Sequence, residues 1–329
     1  MNISVKQLLL NGELSITDKD LIIKIFHYQY LNNKVYRQWC NMQSKNPAGV
    51  TDIKEIPFLP VEVFKYGRVF CDAENLKEEK VFLSSTTSSA VPSKHFVADL
   101  ELYELSVLKN FEREFGKTSD YVITGILPGY LERGNSSLVY MMEYLIKQSG
   151  NAYGKLFSSA GEAVQWITGQ RIGKKYFVLG VSYAMMDLAD INPDFGSREM
   201  IFVETGGMKG TRPELSRKEL HSYLRGGLKK GNFYSEYGMT ELLSQAWTHA
   251  NSEYFHAPPW MKFFVRDLSD PLSEPREEGR GQLLILDMAN VYSCSFLATQ
   301  DIAELSDEGM KLLGRTDYSE MRGCNLMYG

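Results

Sequence analysis

The chain reads as an α/β protein folded as one large domain. From about residue 121 onward, short apolar runs alternate with amphipathic stretches, the rhythm of strands and helices packed in layers. Bulky runs such as Tyr121-Val122-Ile123-Thr124-Gly125-Ile126-Leu127 show little polar alternation, as strands covered on both faces do. No repeat, low-complexity tract or Pro/Ser/Gly linker divides the 329 residues.

The N-terminal elements are helical. Residues 3–42 carry Leu21, Ile22, Ile25, Phe26 and Tyr30 at helical spacing, and residues 1–50 are expected to form a helical N-terminal part. In Ile56-Pro57-Phe58-Leu59-Pro60-Val61 two prolines impose extended backbone, after which Val63 and Phe64 return to apolar packing. The buried strand at Tyr121–Leu127 leads into a helix from Ser136 to Lys147. Further strands are expected at Tyr176–Val181, Ile201–Glu204 and Gln282–Asp287. A helix over Ser216–Leu224 opens with Ser216 as N-cap and Glu219 as its capping-box partner. From Leu305 to Gly329 the chain is polar and turn-rich, with Gly309, Gly314, Gly323 and Gly329 as breaks. The expected division is a large domain over residues 1–313 and a short segment over 314–329 that docks on it or stays mobile.

Hydrophobic residues make up 43% and charged residues 23% of the chain, enough apolar material to bury a substantial core. A net charge of -5 offers no positive field for phosphodiester backbones or anionic lipid, so no nucleic-acid partner is expected. The apolar run Leu8-Leu9-Leu10 is too short for a signal segment, and no apolar stretch approaches the roughly 20 residues of a spanning helix. The expectation is a cytoplasmic protein. Cys40, Cys71, Cys294 and Cys324 form no CxxC pair and suit neither a zinc knuckle nor a disulfide framework. The first three read as buried small hydrophobes.

Four stretches could carry chemistry. Phe82-Leu83-Ser84-Ser85-Thr86-Thr87-Ser88-Ser89-Ala90-Val91-Pro92-Ser93-Lys94-His95 is a hydroxyl-rich loop after an apolar pair and followed by cations, able to hydrogen-bond phosphate oxygens, with Lys94 to neutralise charge; it also fits an ordinary Ser/Thr turn. Phe202-Val203-Glu204-Thr205-Gly206-Gly207-Met208-Lys209-Gly210 is a strand entering a glycine-rich turn, where backbone can approach a flat ligand or simply reverse direction. In Tyr237-Gly238-Met239-Thr240-Glu241, a hydroxyl beside a carboxylate could hold a phosphate oxygen and Mg²⁺, or could mark a helix N-terminus. Asp301, expected at a strand end, could accept from ribose hydroxyls, and Arg315 could pair with phosphate; both residue types are also common in surface turns.

In this order the stretches resemble the motifs of the adenylate-forming superfamily of acyl-CoA synthetases, adenylation domains and luciferases. Ser84–Lys94 is similar to its phosphate loop, Tyr237–Glu241 to its Tyr-Gly-x-Thr-Glu element, Asp301 to its ribose aspartate and Gly314-Arg315-Thr316-Asp317 to its hinge. Within the superfamily, the residues from Ile56 to Lys65, Thr205 to Gly210 and Pro258-Pro259-Trp260-Met261 look like the acyl-protein synthetase (LuxE) family, relatives of phenylacetate-CoA ligase. Thr86 and Ser89 stand where the phosphate loop normally has glycines.

That resemblance implies the large N-terminal-type domain of adenylate-forming enzymes, with mixed sheets flanked by helices and the small C-terminal domain absent or reduced to a stub. It implies an AMP-forming ligase using ATP and Mg²⁺, and a carboxylic acid substrate of fatty type. Ser84, Ser85, Thr86, Thr87, Ser88, Ser89, Lys94 and Thr240 would grip phosphates, Glu241 would hold the metal, Gly206, Gly207 and Tyr237 would border the adenine, and Gly238 and Met239 would be among the nucleotide-binding residues. Asp301 and Arg315 would hold the ribose, and Lys209 would reach a phosphate or the acyl-adenylate. In Arg322-Gly323-Cys324 the cysteine stands where this family carries the thiol that takes the acyl group before a partner reductase. Other acceptors are coenzyme A, a carrier protein or an amine, and a non-catalytic acyl- or nucleotide-binding scaffold is the reading from another class. Met141, Met142, Tyr144, Met185 and Met186 could line an acyl pocket or belong to the core.

Overall fold

Polar and glycine stops cut the N-terminal helical run into separate pieces. Helix α1 (Val5–Asn11) ends at Gly12, whose φ of 75° lies in the left-handed region that glycine adopts without a Cβ clash. Helix α2 (Lys19–Asn32) starts where the Asp18 side chain accepts from the Leu21 N–H at 2.9 Å. Helix α3 (Lys34–Met42) starts where Asn33 accepts from Tyr36 N–H at 3.0 Å. These details come from a computed structural model that describes residues 4–85, 91–132, 134–208, 212–213 and 215–315.

After α3 the chain runs through β1 (Leu59–Pro60) into an antiparallel hairpin of β2 (Lys80–Leu83) and β3 (Lys94–Val97). An α/β stretch follows: α4 (Leu100–Phe115), β4 (Tyr121–Ile126), α5 (Ser137–Gln148), β5 (Lys155–Phe157), α6 (Ala160–Gly169), β6 (Lys175–Val181), α7 (Ser182–Ile191), β7 (Met200–Thr205), α8 (Arg217–Leu228) and β8 (Asn232–Tyr237). The capping box expected at Ser216 and Glu219 opens α8. Strands β4 to β8 pair in parallel, joined through helices, as parallel pairing requires.

Beyond β8 the alternation expected from the middle onward gives way to antiparallel strands: β9 (Ala246–Thr248), β10 (Tyr254–His256), β11 (Met261–Arg266), β12 (Gly279–Asp287), β13 (Phe296–Ser306) and β14 (Gly309–Arg315). All but the β2–β3 hairpin join one 12-stranded sheet in the order β11-β12-β13-β14-β10-β9-β8-β7-β6-β4-β5, with β1 beside β13. This mixed sheet with flanking helices is the fold class expected.

Three local expectations are corrected. Asp301 lies inside β13 rather than at a strand end, because β13 continues past it to pair with β14. Gly314 and Arg315 belong to strand β14, where breaks were expected; Gly314, at φ 146°, sits where the β13–β14 register slips between Ile302 and Ala303. Thr240 and Glu241 follow β8 in a turn, not a helix start, since the Leu243 and Ser244 N–H groups donate to the distant Asp287 carboxylate at 2.9 and 3.1 Å. Met141, Met142, Met185 and Met186 lie in the core, and Tyr144 packs against it. Cys40, Cys71 and Cys294 are buried. Phe111, Phe115, Phe177 and Trp247 meet edge to face at the heart of the parallel half, with centroids 5.0–6.5 Å apart.

Candidate active site

Parallel pairing of β7 with β8 sets Thr205 opposite Glu236, which brings the Gly206–Gly207 turn and the Tyr237–Gly238 turn to the same end of the sheet. Gly206 has φ 72°, a conformation that suits glycine. The Ser182 hydroxyl lies 3.1 Å from the Gly206 carbonyl and 2.8 Å from the Glu204 carboxylate, tying that turn to the start of α7. Gly238 is required for space: a Cβ there would stand 2.3 Å from a Glu236 carboxylate oxygen.

The Tyr237 hydroxyl donates to Asp301 Oδ2 at 2.7 Å. Across the β13–β14 ladder Arg315 is the register partner of Asp301, and its Nε lies 3.3 Å from Oδ1. Burial pushes the Asp301 carboxyl up, while Tyr237 and Arg315 pull it back. Asp301 is therefore an acceptor-rich group already oriented by two donors.

Glu241 is buried, which pushes its carboxyl up; a hydrogen bond from Ser93 and the charges of Arg315 and Lys65 pull it down. Ser93 belongs to the base of the hydroxyl-rich loop. Its N–H donates to Ser84 Oγ at 2.8 Å, and Ser84 N–H donates to the Ser93 carbonyl at 3.1 Å, extending the β2–β3 ladder beyond Leu83 and Lys94. Ser84 and Ser85 face a cavity of about 330 Å³ together with Pro92, Tyr130, Asn135 and Ser136. Ser136 caps helix α5 by accepting from Val139 N–H at 3.3 Å, so a helix N-terminus with its partial positive charge opens there.

One more side chain ties these parts together. His95 alternates with exposed Lys94 along β3 and points inward, where Nδ1 lies 2.7 Å from the Thr240 carbonyl and Nε2 3.0 Å from Asn290 Oδ1. Asn290 Nδ2 donates to the Glu241 carbonyl at 2.7 Å. Burial pushes His95 down to about 4, so the ring is neutral at pH 7.

The structure thus links Ser84 through Ser93 to Glu241 and His95 to Thr240, places Ser85 beside Tyr130, sets the Gly206–Gly207 and Tyr237–Gly238 turns at one end of the sheet, and joins Tyr237 with Asp301 and Arg315. Met239 is partly buried against the core, and Lys94 is exposed. Thr86, Thr87, Ser88, Ser89, Lys209 and Cys324 lie outside the described residues. Among the described residues there is no group of three metal-ligating side chains. A lone buried carboxylate at Glu241 fits an ion delivered with nucleotide phosphates, the usual way Mg²⁺ is held. Ser93 and His95 fall within the hydroxyl-rich stretch read from sequence but carry no role there, and Lys65, Asn290 and Asp287 carry no site signal in the sequence. Strand alternation beside Lys94 was the one available signal for His95; Asn290 and Asp287 act across more than 40 residues.

Residues 10–106 match the family described as acyl-protein synthetase, LuxE. A 70-residue stretch is 34% identical to a long-chain-fatty-acid–luciferin-component ligase of Photorhabdus luminescens, covering 21% of this chain and 59% of that relative. The matched part is therefore less than two thirds of the relative's length. The fold is shared with a 2-hydroxyisobutyryl-CoA ligase solved with 2-HIB-AMP and CoA, at TM-score 0.70 and 12% identity over 95% of this chain and 74% of that one. A fatty acyl-adenylate ligase from L. pneumophila, solved with acyl adenylate and pyrophosphate, aligns at TM-score 0.53 and 13% identity over 78% and 54%.

Proposed function

We propose, for a chain that carries an acyl-protein synthetase (LuxE) segment on the fold of the adenylate-forming ligases, that it activates a carboxylic acid as its acyl-AMP. The observation that carries the reading is the convergence of Tyr237, Asp301 and Arg315 with Glu241 and the Ser84–Ser93 loop base. One cluster suits a ribose and the other a polyphosphate.

A carboxylate oxygen of the acid attacks the α-phosphorus of ATP, the bond from that phosphorus to the bridging oxygen breaks, and pyrophosphate leaves. Thr240 and the loop hydroxyls of Ser84 and Ser85 orient the phosphates, and Asp301 accepts from the ribose hydroxyls. Thr86, Thr87, Ser88, Ser89, Lys94 and Lys209 add phosphate contacts. Gly206, Gly207 and Tyr237 border the adenine, where glycines let the ring approach the backbone, and Gly238 and Met239 complete the nucleotide contacts. Glu241 is the side chain that would hold Mg²⁺, which when bound would supply neutralisation of the charge on the phosphates. Positioning and electrostatics account for most of the acceleration in such a site.

The activated acid is of fatty type, in keeping with the long-chain-fatty-acid–luciferin-component ligase that the sequence resembles. In the second step the Cys324 thiolate attacks the mixed-anhydride carbonyl, AMP leaves, and the acyl group is held as a thioester for a partner reductase. Hydroxylamine-labile acyl label is expected on wild type and not on Cys324→Ser. Label surviving in that variant removes Cys324 from the reaction; acyl transfer to CoA, a carrier protein or an amine in its place identifies the acceptor.

Carboxylate-dependent ATP–pyrophosphate exchange tests the first step. Glu241→Gln is expected to lose exchange by on the order of 10²–10³-fold while keeping its circular dichroism and melting temperature. Full exchange in Glu241→Gln refutes the assignment, and folded wild type that exchanges with no acid in a broad panel supports a non-catalytic scaffold.

A further inference from the structure

His95 lies on β3, yet its partners are the backbone of a turn some 145 residues away and a loop near residue 290. The ring is fully buried and packed edge-on against Phe64, with centroids 5.7 Å apart. Its nitrogens approach the Thr240 carbonyl and the Asn290 amide, and Asn290 in turn approaches the Glu241 carbonyl. One imidazole and one amide thus grip the carbonyls of two consecutive residues. The grip is on backbone, so it sets where the Thr240 hydroxyl and the Glu241 carboxylate stand without consuming either.

The pair is itself anchored. Gln29 of α2 donates to the Asn290 and Val291 carbonyls at 3.1 and 2.9 Å and accepts from Ser295 N–H at 3.0 Å. A neutral ring carries one proton, and because the Thr240 carbonyl can only accept, that proton sits on Nδ1. The Asn290 amide is placed with its Nδ2 toward the Glu241 carbonyl, so ring and amide hold one carbonyl each.

We propose that His95 is a positioning residue for adenylation, coupling the β2–β3 hairpin that bears the Ser84–Lys94 loop to the turn that bears Thr240 and Glu241. This deepens the function proposed above and rests on it. Without the coupling, loop and turn lose their common frame, and a displacement of about 1 Å in such a site can cost on the order of 10²-fold in rate.

The test compares full-length wild type with His95→Phe, His95→Gln, Asn290→Ala and the His95→Phe/Asn290→Ala double variant. ATP–pyrophosphate exchange is measured with melting temperature and with deuterium uptake of peptides spanning 238–245. His95→Phe is expected to lower kcat on the order of 10²-fold with KM for ATP changed by less than about 3-fold. His95→Gln, which keeps a donor, is expected to recover part of the rate. The double variant is expected to be no slower than the worse single variant, since the two residues act as one unit. Uptake at 238–245 is expected to rise in each variant.

Variants that lose melting temperature but keep kcat and wild-type uptake at 238–245 overturn the proposal, as do losses that multiply in the double variant. If His95→Phe does not fold, His95→Gln and Asn290→Asp decide: the latter keeps the size of the side chain and removes the donor to Glu241. If wild type exchanges with no acid, the adenylation reading fails by itself. The coupling then stands or falls on uptake at 238–245 in His95→Gln, where no change overturns it.

Discussion

Glu236 sits one residue before Tyr237, buried beside the site with the Thr205 hydroxyl as its donor. Burial pushes its carboxyl up to about 7, so the folded state favours the protonated form. The stability this group contributes is full below its unfolded pKa of about 4.3 and is lost as pH rises toward 7. Asp287, which burial pushes up to about 6, acts in the same sense. Glu204 opposes them: burial alone would raise it, but Arg217, His221 and Ser235 bring it down to about 2, so its contribution is lost only as pH falls toward that value. Glu236→Gln is predicted to stabilise the protein by up to about 3 kcal/mol at pH 8 and by nothing at pH 4. Urea titrations at the two pH values check this; an equal effect at both would show that Glu236 is not the titrating group.

Among the elements, α2 is the one whose role reaches furthest beyond its own packing. Its apolar face, Leu21, Ile22, Ile25 and Phe26, enters the core, while Gln29 on the same side carries hydrogen bonds to the loop between β12 and β13. Gln29→Leu keeps the volume but leaves the Asn290 and Val291 carbonyls and the Ser295 N–H without it. Buried groups left unpaired cost about 1–3 kcal/mol each, so a loss on the order of 3 kcal/mol is predicted from denaturant unfolding. Because Asn290 also serves the Thr240–Glu241 turn, pyrophosphate exchange should fall along with stability. Unchanged exchange in folded Gln29→Leu would show that the loop holds its place without α2. The β2–β3 hairpin illustrates a different dependence: the loop it carries is local, but Ser93 and His95 find their partners only on other elements.

At the scale of the molecule, one hydrophobic cluster runs from Val5 to Met310 and the N-terminal helices share it with both halves of the sheet. Heating is therefore predicted to give one transition by circular dichroism and by tryptophan fluorescence, Trp39 lying at the N-terminal helices and Trp247 and Trp260 at the sheet. Two separated transitions would show that residues of α1 to α3 unfold on their own. Much of this architecture was legible in the chain. Apolar runs marked β4, β6, β7 and β12, and Ser216 with Glu219 marked α8, because hydrophobic periodicity and capping are local properties. The strand at 309–315 was not legible, since its polar, glycine-bearing residues become a strand only by pairing with β13. Thr240 and Glu241 read as a helix start for a similar reason: the Asp287 carboxylate that serves the amides of that turn comes from β12. The sequence by itself determined the α/β class, the order of the motifs for which a nucleotide site is proposed, and the hydroxyl, carboxylate and cationic residue types that they carry. Only the tertiary structure decided that Tyr237, Asp301 and Arg315 meet, that Ser93 reaches Glu241, and that His95 and Asn290 hold the backbone between them. Those contacts join groups far apart in the chain, whose distances follow from sheet order and register and leave no periodic trace in the residues themselves.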